Sequence, residues 1–390
     1  MKGITKYFKG DRAIWIIAVL LSVFSLLLVY SSIVTLAYKH HGGNTLYYLF
    51  RHGLFLGLGF MIIYVTHKMK YSYFSRLSQL LLYLSIPLLL LTLVIGSNLN
   101  NASRWLVIPV INQSFQTSDL AKLALIMYVA RMLWIKRDVL SSFKEGFLPI
   151  IIPVSIVCGL ILPANFSTAA VLFTCCIVLM FIGGIPLKHF ASLIPAGIVM
   201  LASVFLIAQF APKVFPRAET WKKRVERYAS NEKDSDGNYQ VEQSKIAIAK
   251  GGLAGQGPGN SNQRNFLPHP YSDFIYAIVL EEYGMLGGTI VLMLYIILFF
   301  RALRLSTKTE HLFPQLLVLG LSFSLVFQAM INMAVAVNLL PVTGQPLPLV
   351  SMGGTSTWFT CLSIGIILSV SRGIELENAK KIKLDDYAIA

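Results

Sequence analysis

The sequence predicts an all-α, polytopic membrane protein, and three observations carry that reading. Of its 390 residues, 55% are hydrophobic and only 13% are charged, against roughly 25% charged in a soluble domain. Apolar runs near the roughly 20 residues needed to cross a bilayer recur from residue 13 to residue 370. Lys and Arg fall mostly in the short loops between those runs, where membrane orientation places them. An ordinary soluble enzyme, a disordered chain and a disulfide scaffold are excluded.

The first run, about 13–37, follows Lys2, Lys6, Lys9 and Arg12. It exceeds the roughly 7–15 residues of a signal-peptide core, so it reads as a retained helix. Further runs lie near 48–67, 77–96, 118–135, 147–163, 166–184 and 189–210, then 273–303, 312–336 and 347–371. This makes ten transmembrane helices, with a large extracytoplasmic loop, 211–271, between helices seven and eight. Backbone in lipid must satisfy itself, which leaves helices for such runs. The loops with Lys68, Lys70 and Arg76, with Arg131, Lys136, Arg137 and Lys144, and with Arg301, Arg304 and Lys308 share the N-terminal side. So does the tail with Arg372, Lys380, Lys381 and Lys383. Both termini are therefore expected in the cytoplasm. The expected organisation is one membrane domain, 1–372, and a tail, 373–390.

The net charge of +15 follows from that loop pattern and gives no reason to expect nucleic acid. Cys158, Cys175, Cys176 and Cys361 lie inside apolar runs, with no metal spacing, and read as packing residues. No strong internal repeat appears, which argues against an inverted-repeat transporter.

Ionisable residues at membrane depth are functional candidates. Asp119 and Lys122 are three apart at the start of the fourth helix and can pair, as a structural ion pair or as substrate contacts. Arg104-Trp105 precedes them in an outer loop, Trp as an interface anchor and Arg as a candidate phosphate fork. Arg51 and His52 sit near the outer end of helix two, to snorkel or to bind. A glycine-dense run, Lys250–Ser261, includes Gly257, Gly259 and Ser261 and reads as a flexible connector or a close backbone approach to a ligand such as phosphate. Arg264 follows it. Asp273, at the outer mouth of helix eight, is a candidate general base or a helix N-cap. Glu281 lies about 12 Å deeper on that helix and about 80° around it, so direct contact with Asp273 is not expected. The run 340–356, with Thr343, Ser351, Gly353, Gly354 and Ser356, breaks an apolar segment with prolines and glycines; such backbone survives where it lines a cavity or is buried. Asn332 and Asn338 lie just before it. Trp221-Lys222-Lys223-Arg224-Val225-Glu226-Arg227-Tyr228 reads as a surface amphipathic helix or as a guide for an anionic substrate. These clusters share the outer face, and residues alone leave two classes open there: an enzyme acting on an anionic lipid-linked substrate, or a transporter.

Together the clusters resemble the SEDS family (shape, elongation, division and sporulation), which holds the FtsW and RodA proteins. The resemblance spans about 13–372. It rests on Gly251-Gly252-Leu253 through Asn260-Ser261, on Leu267-Pro268 with Asp273-Phe274-Ile275, on Glu281-Glu282 with Gly284, and on Pro341 through Ser356. Arg104-Trp105 and Gln116, Ser118, Asp119 and Lys122 match two further motifs, with Asp119 where Glu is usual. Phe8-Lys9-Gly10-Asp11-Arg12-Ala13-Ile14-Trp15 is most similar to the division members, with an elongation role as the alternative.

The resemblance implies polymerisation of lipid II into peptidoglycan glycan strands, with Asp273 catalytic. The expected place is the outer face of the bacterial cytoplasmic membrane, at the division septum. The implied partners are a class b penicillin-binding protein and other division proteins. Arg51, Arg104, Trp105, Asp119, Lys122 and Arg264 are substrate-site candidates, with the glycines and hydroxyls named above. A divalent cation, Mg or Mn, would be held mainly by the substrate pyrophosphate. A lipid II flippase is the rival. Two departures stand out: Asn165 and His269 replace acidic residues usual in the family, so neither can serve as an anion here.

Overall fold

The computed structural model describes residues 9–34, 36, 38, 43–99, 102–108, 113–193, 195, 197 and 236–389. Helix α1 (Arg12–Ser32) starts at Asp11, whose side chain accepts from Ala13 N at 2.9 Å and Ile14 N at 3.4 Å. Helix α2 (Thr45–Lys68) is capped by Asn44, and α3 (Ser72–Ile95) carries Pro87 inside it. A three-stranded antiparallel sheet follows: β1 (Ser97–Leu99), β2 (Ala102–Ile108) and β3 (Gln113–Gln116). Trp105 pairs with Gln116 and Ile108 with Gln113. Then come α4 (Thr117–Ile135), α5 (Leu148–Ile161), α6 (Phe166–Ile182) and the short α7 (Leu187–Ala191). The outer segment contributes α8 (Asp236–Gly251), and α9 (Ile275–Ser306), α10 (Leu312–Ala336) and α11 (Thr355–Ile389) complete the order.

Among the described residues, seven helices are long and apolar enough to span a membrane. Helix α4 has 19 residues but carries Asp119, Lys122 and Arg131, and α6 has only 17. Most of the expected run 189–210 lies outside the described residues, so the count of ten stays a reading of the sequence. The sheet at 97–116 was not expected. Its seed is the β-branched and aromatic stretch Trp105-Leu106-Val107-Ile108, which suits a pleated surface.

Helices α4 and α10 form the centre. Helix α10 packs on α4, α6, α9 and α11. Helix α4 is buried nearly all round from Ala121 to Ala130, Lys122 excepted, as befits a helix at the core of the bundle. Helix α8 folds back on this core, with Ala247 fully buried and Ser244 Oγ donating to Ala336 O at 2.6 Å.

The start of α1 and the body of α11 meet at one end of the bundle. Gly10 N donates to Glu375 Oε2 at 2.9 Å and Asp11 N to Ser371 Oγ at 2.8 Å. Arg301, near the end of α9, donates to Asp11 Oδ2 through Nε at 3.0 Å and a terminal nitrogen at 2.6 Å. Asp11 thus serves as helix cap and as acceptor of an Arg fork. Asp11→Ala is expected to cost about 1–3 kcal/mol, since it removes both. Asp11→Asn retains the cap and should cost less, which thermal unfolding in detergent will read; equal melting points would rule out the cap.

Candidate functional site

At the other end of α9, Asp273 is half-buried two residues before the helix begins. The cap position of α9 belongs to Phe274, and no side chain caps it. The N-cap role considered for Asp273 is therefore absent. Asp273 Oδ1 instead accepts from Ser272 Oγ at 2.9 Å. Its backbone carbonyl accepts from Asn332 Nδ2 at 2.9 Å, and the same amide donates to Gln345 O at 2.7 Å. Asn332 is 1% exposed, so α10 rigidly joins the Asp273 segment to the broken segment 341–354.

That broken segment reaches Asp273 directly. Gly344 has φ +66°, and a Cβ there would stand 3.5 Å from Asp273 Oδ2. Backbone of this kind is tolerated at depth because neighbours satisfy it. Gln328 Nε2 donates to Pro346 O at 2.9 Å, and Ser351 Oγ donates to Ser272 O at 2.6 Å and accepts from Leu347 N at 2.8 Å. Gln345 Nε2 donates to Thr168 Oγ1 at 2.6 Å. Asn165 caps α6, its Oδ1 accepting from Thr168 N at 3.3 Å. A neutral amide suffices for that cap, which gives Asn165 a structural role without charge.

Lys122 donates to Gln328 Oε1 at 2.8 Å and lies 3.4 Å from Asp119 Oδ1. The expected pair forms, with side chains only 17% and 7% exposed. Asp119 Oδ2, Asn332 Oδ1 and Thr343 Oγ1 are buried polar atoms without a hydrogen-bond partner among the described residues. A narrow cleft of about 30 Å³ lies between α4, α10, the segment 346–351 and the start of α11. Asp119, Lys122, Gln328, Ser351 and Ser356 line it. Asp273 does not line it; Ser351 joins the two through Ser272. Gly353 O accepts from Ser356 Oγ at 2.7 Å in the first turn of α11, and Gly354 has φ +52° there.

Lys122→Ala should cost about 3–5 kcal/mol, because it strands buried Asp119 and leaves Gln328 Oε1 without its donor. Asp119→Ala/Lys122→Ala is expected to regain most of that, read as thermal unfolding in detergent. A double variant no more stable than the single one would refute the pairing.

The glycine-dense run turns out to approach the protein's own backbone. Helix α9 breaks at Gly284 (φ +64°, ψ −168°). The freed groups pair with the run: Gln256 N donates to Glu281 O, Gly257 N to Glu282 O and Met285 N to Gly252 O, each at 2.9 Å. A Cβ on Gly255 would overlap Glu282 O, and one on Gly284 would overlap Leu253 O. Gly255 and Gly284 are thus needed for helix-to-loop contact. Ser261 Oγ donates to Glu281, which also accepts from Asn262 N at 3.0 Å. Arg264 donates to Gly259 O at 2.8 Å and to Ser31 O and Oγ at 3.1 Å. The amide of Gly257, the carbonyl of Gly259 and the side chains of Ser261 and Arg264 therefore work in this scaffold, which leaves them less to offer a phosphate.

Arg51 stands on α2 one turn from Tyr48, which packs in a small cluster with Tyr271 and Met352. His52, beside it, is buried and hydrogen-bonds Ser25 Oγ at 2.7 Å, and Ser25 donates to Val350 O at 2.8 Å. Burial pushes the Tyr271 phenol up, and Tyr48 and Asp273 add in the same direction, so Tyr271 remains a neutral donor two residues from Asp273. His269 Nδ1 lies 3.2 Å from Tyr271 Oη. Arg104 and Trp105 lie on β2, and the sheet is held to α11 by Thr355 Oγ1 donating to Ser114 O at 3.1 Å. The segment Trp221–Tyr228 lies outside the described residues. Among the described residues, no three His, Cys, Asp or Glu side chains gather to hold a metal.

Gln328, Gln345, Thr168 and Tyr271 were not read as site residues. For Gln328 a signal was present: an amide inside an apolar helix at membrane depth.

The chain is similar to several characterised proteins over most of its length. It is 32% identical over 373 residues to the probable peptidoglycan glycosyltransferase FtsW of Trichlorobacter lovleyi, covering 94% of each chain. It is 33% identical over 374 residues to the stage V sporulation protein E of Bacillus subtilis, covering 94% of this chain and 98% of that one. Among solved structures it matches a chain from work on "Structural coordination of polymerization and crosslinking by a peptidoglycan synthase complex", with TM-score 0.72, 25% identity and coverage of 94% and 99%. It shares the fold of the rod shape determining protein RodA of Thermus thermophilus, with TM-score 0.66, 23% identity and coverage of 94% and 98%. Residues 11–375 match the FtsW, RodA and SpoVE family of cell cycle proteins, and to that family the chain belongs.

Proposed function

We infer that this protein is a membrane-embedded peptidoglycan glycosyltransferase that polymerises lipid II by inverting glycosyl transfer. The observation that carries the reading is the Asp273 carboxylate, freed from capping duty and fixed from behind by Asn332 and Ser351. The activity for which the relatives are named supports the reaction class.

The acceptor's N-acetylglucosamine 4-hydroxyl attacks C1 of the donor's N-acetylmuramic acid. Asp273 takes the hydroxyl proton as the new bond forms, and undecaprenyl pyrophosphate leaves with the bonding electron pair. The leaving group's negative charge calls for cations. Lys122 in the neighbouring cleft and Arg51 near the outer end of α2 are assigned that task, with Arg104 on β2 as a third. Among the described residues, no cluster of three His, Cys, Asp or Glu side chains stands ready to hold a resident metal. A divalent cation, Mg or Mn, is proposed to arrive on the substrate pyrophosphate.

The protein is placed in the bacterial cytoplasmic membrane with both termini in the cytoplasm and Asp273 outside. The shared position of Gly10, Asp11, Arg301 and Ser371 at one end supports this arrangement, together with the basic loops there. A class b penicillin-binding protein is its proposed partner, and the division septum its proposed site. The test is purified protein with lipid II, with and without the transpeptidase, and glycan strands resolved by gel. Lipid II moved across vesicles with no strand made would favour a flippase instead. Depletion should give filamentous cells; rounded cells would assign it to elongation.

A further inference from the structure

Helices α2 and α11 run together, and their meeting ends lie opposite Asp273. Gly365 of α11 sits so close to α2 that a Cβ there would be 2.8 Å from Thr66 Cβ and 3.1 Å from Ile63 Cα. At the end of α2 the pair is locked: Ser369 Oγ donates to Met69 O and Arg372 to Lys68 O, both at 2.6 Å. An open recess forms there between Lys68, Lys70, Tyr71, Arg372, Leu376 and Lys380. Four cations face it against the one carboxylate of Glu377. Burial, then the Glu377 charge, pushes the Tyr71 phenol up to about 12, so it adds no negative charge.

One turn back along α2 the surface changes character. Leu58, Met61, Ile62, Val65, Thr66 and Trp358 line an apolar groove. Met61 is 63% exposed and Val65 51%. Trp358 Nε1 is already satisfied by Phe55 O at 3.1 Å. From Lys68 to Leu58 is about 15 Å of helix, half of a roughly 30 Å hydrocarbon core and so the depth of one leaflet.

We propose that the α2–α11 seam binds one anionic phospholipid of the leaflet opposite Asp273. Its phosphate headgroup sits among Lys68, Lys70, Arg372 and Lys380, and one acyl chain lies in the groove from Val65 toward Leu58. A cationic recess at Lys68, next along α2 to an apolar groove of leaflet depth that begins at Val65 and Thr66, complements both halves of such a lipid. Basic pockets between transmembrane helices hold anionic headgroups by the same charge match. An apolar helix of another protein would fill the groove and leave the four cations unanswered.

The test uses the full chain, delipidated in detergent, and native mass spectrometry with added phosphatidylglycerol or phosphatidylcholine. One phosphatidylglycerol should bind about fivefold or more tighter than phosphatidylcholine, roughly the factor that a single basic residue contributes near a membrane surface. Lys68→Gln/Lys70→Gln/Lys380→Gln should sharply reduce that preference; Arg372 is spared because it caps α2. Val65→Trp, which fills the groove, should weaken both lipids, and it carries the test if the triple variant melts early. Equal binding of the two lipids to the native chain overturns the proposal, as does an unchanged preference in the triple variant. Displacement of phosphatidylglycerol by millimolar inorganic phosphate would show an anion site that needs no acyl chain, and would also overturn it. So would loss of a co-purifying protein from Val65→Trp with phosphatidylglycerol binding intact.

Discussion

Asp273→Asn is expected to abolish glycan synthesis while leaving the protein folded. A positioned general base contributes roughly 10²–10⁴ in rate, so turnover should fall at least about 100-fold. The fold should not notice. The Asn side chain keeps an oxygen for Ser272 Oγ, and the backbone carbonyl still accepts from Asn332. No helix cap is lost, because Phe274 holds that position. The measurement is strand formation from lipid II beside thermal unfolding of the same preparation. Native turnover in Asp273→Asn would end the base assignment, and a large loss of stability would recast Asp273 as a structural residue.

A loss of stability as large as that of Lys122→Ala is expected from Glu281→Ala. Glu281 is fully buried and gathers Ser261 Oγ, Asn262 N and Gln263 N onto one carboxylate. Removing it strands two backbone donors and cuts charge-assisted bonds, a cost of about 3–5 kcal/mol. The loop from Gly255 to Arg264 should then open to protease, and the melting point should drop. Glu281→Gln retains one carbonyl acceptor and should fall between. If Glu281→Ala melts like the native chain and its loop resists cleavage, the loop is held by the Gly284 break alone.

Much of this architecture was legible because lipid makes a local demand. A span must be apolar for about 20 residues and must satisfy its own backbone, and both show as hydropathy. The Asp119–Lys122 pair was legible for the same reason, since three residues apart on a helix means one face. The prolines and glycines of 341–354 announced irregular backbone, and the structure brings that segment to Asp273. The sheet at 97–116 was missed because a four-residue β-type stretch between two spans is a weak signal beside the runs that flank it.

By itself, the sequence determined a membrane fold of long helices, basic loops on the N-terminal side, and polar clusters on the opposite side with Asp273 among them. Each of these is encoded in neighbouring residues. Only the tertiary structure decided what the backbone of 251–257 pairs with: a broken α9 whose free amides and carbonyls it satisfies. It alone decided that Asp273 caps nothing, and that Gln328, Gln345 and Asn332 join α4, α6 and α10 behind it. The physical reason is that a hydrogen-bonding group shows its type in the sequence but not its partner. Partners 59 and 177 residues apart, such as Asn332 with Asp273 and Gln345 with Thr168, are chosen by helix packing.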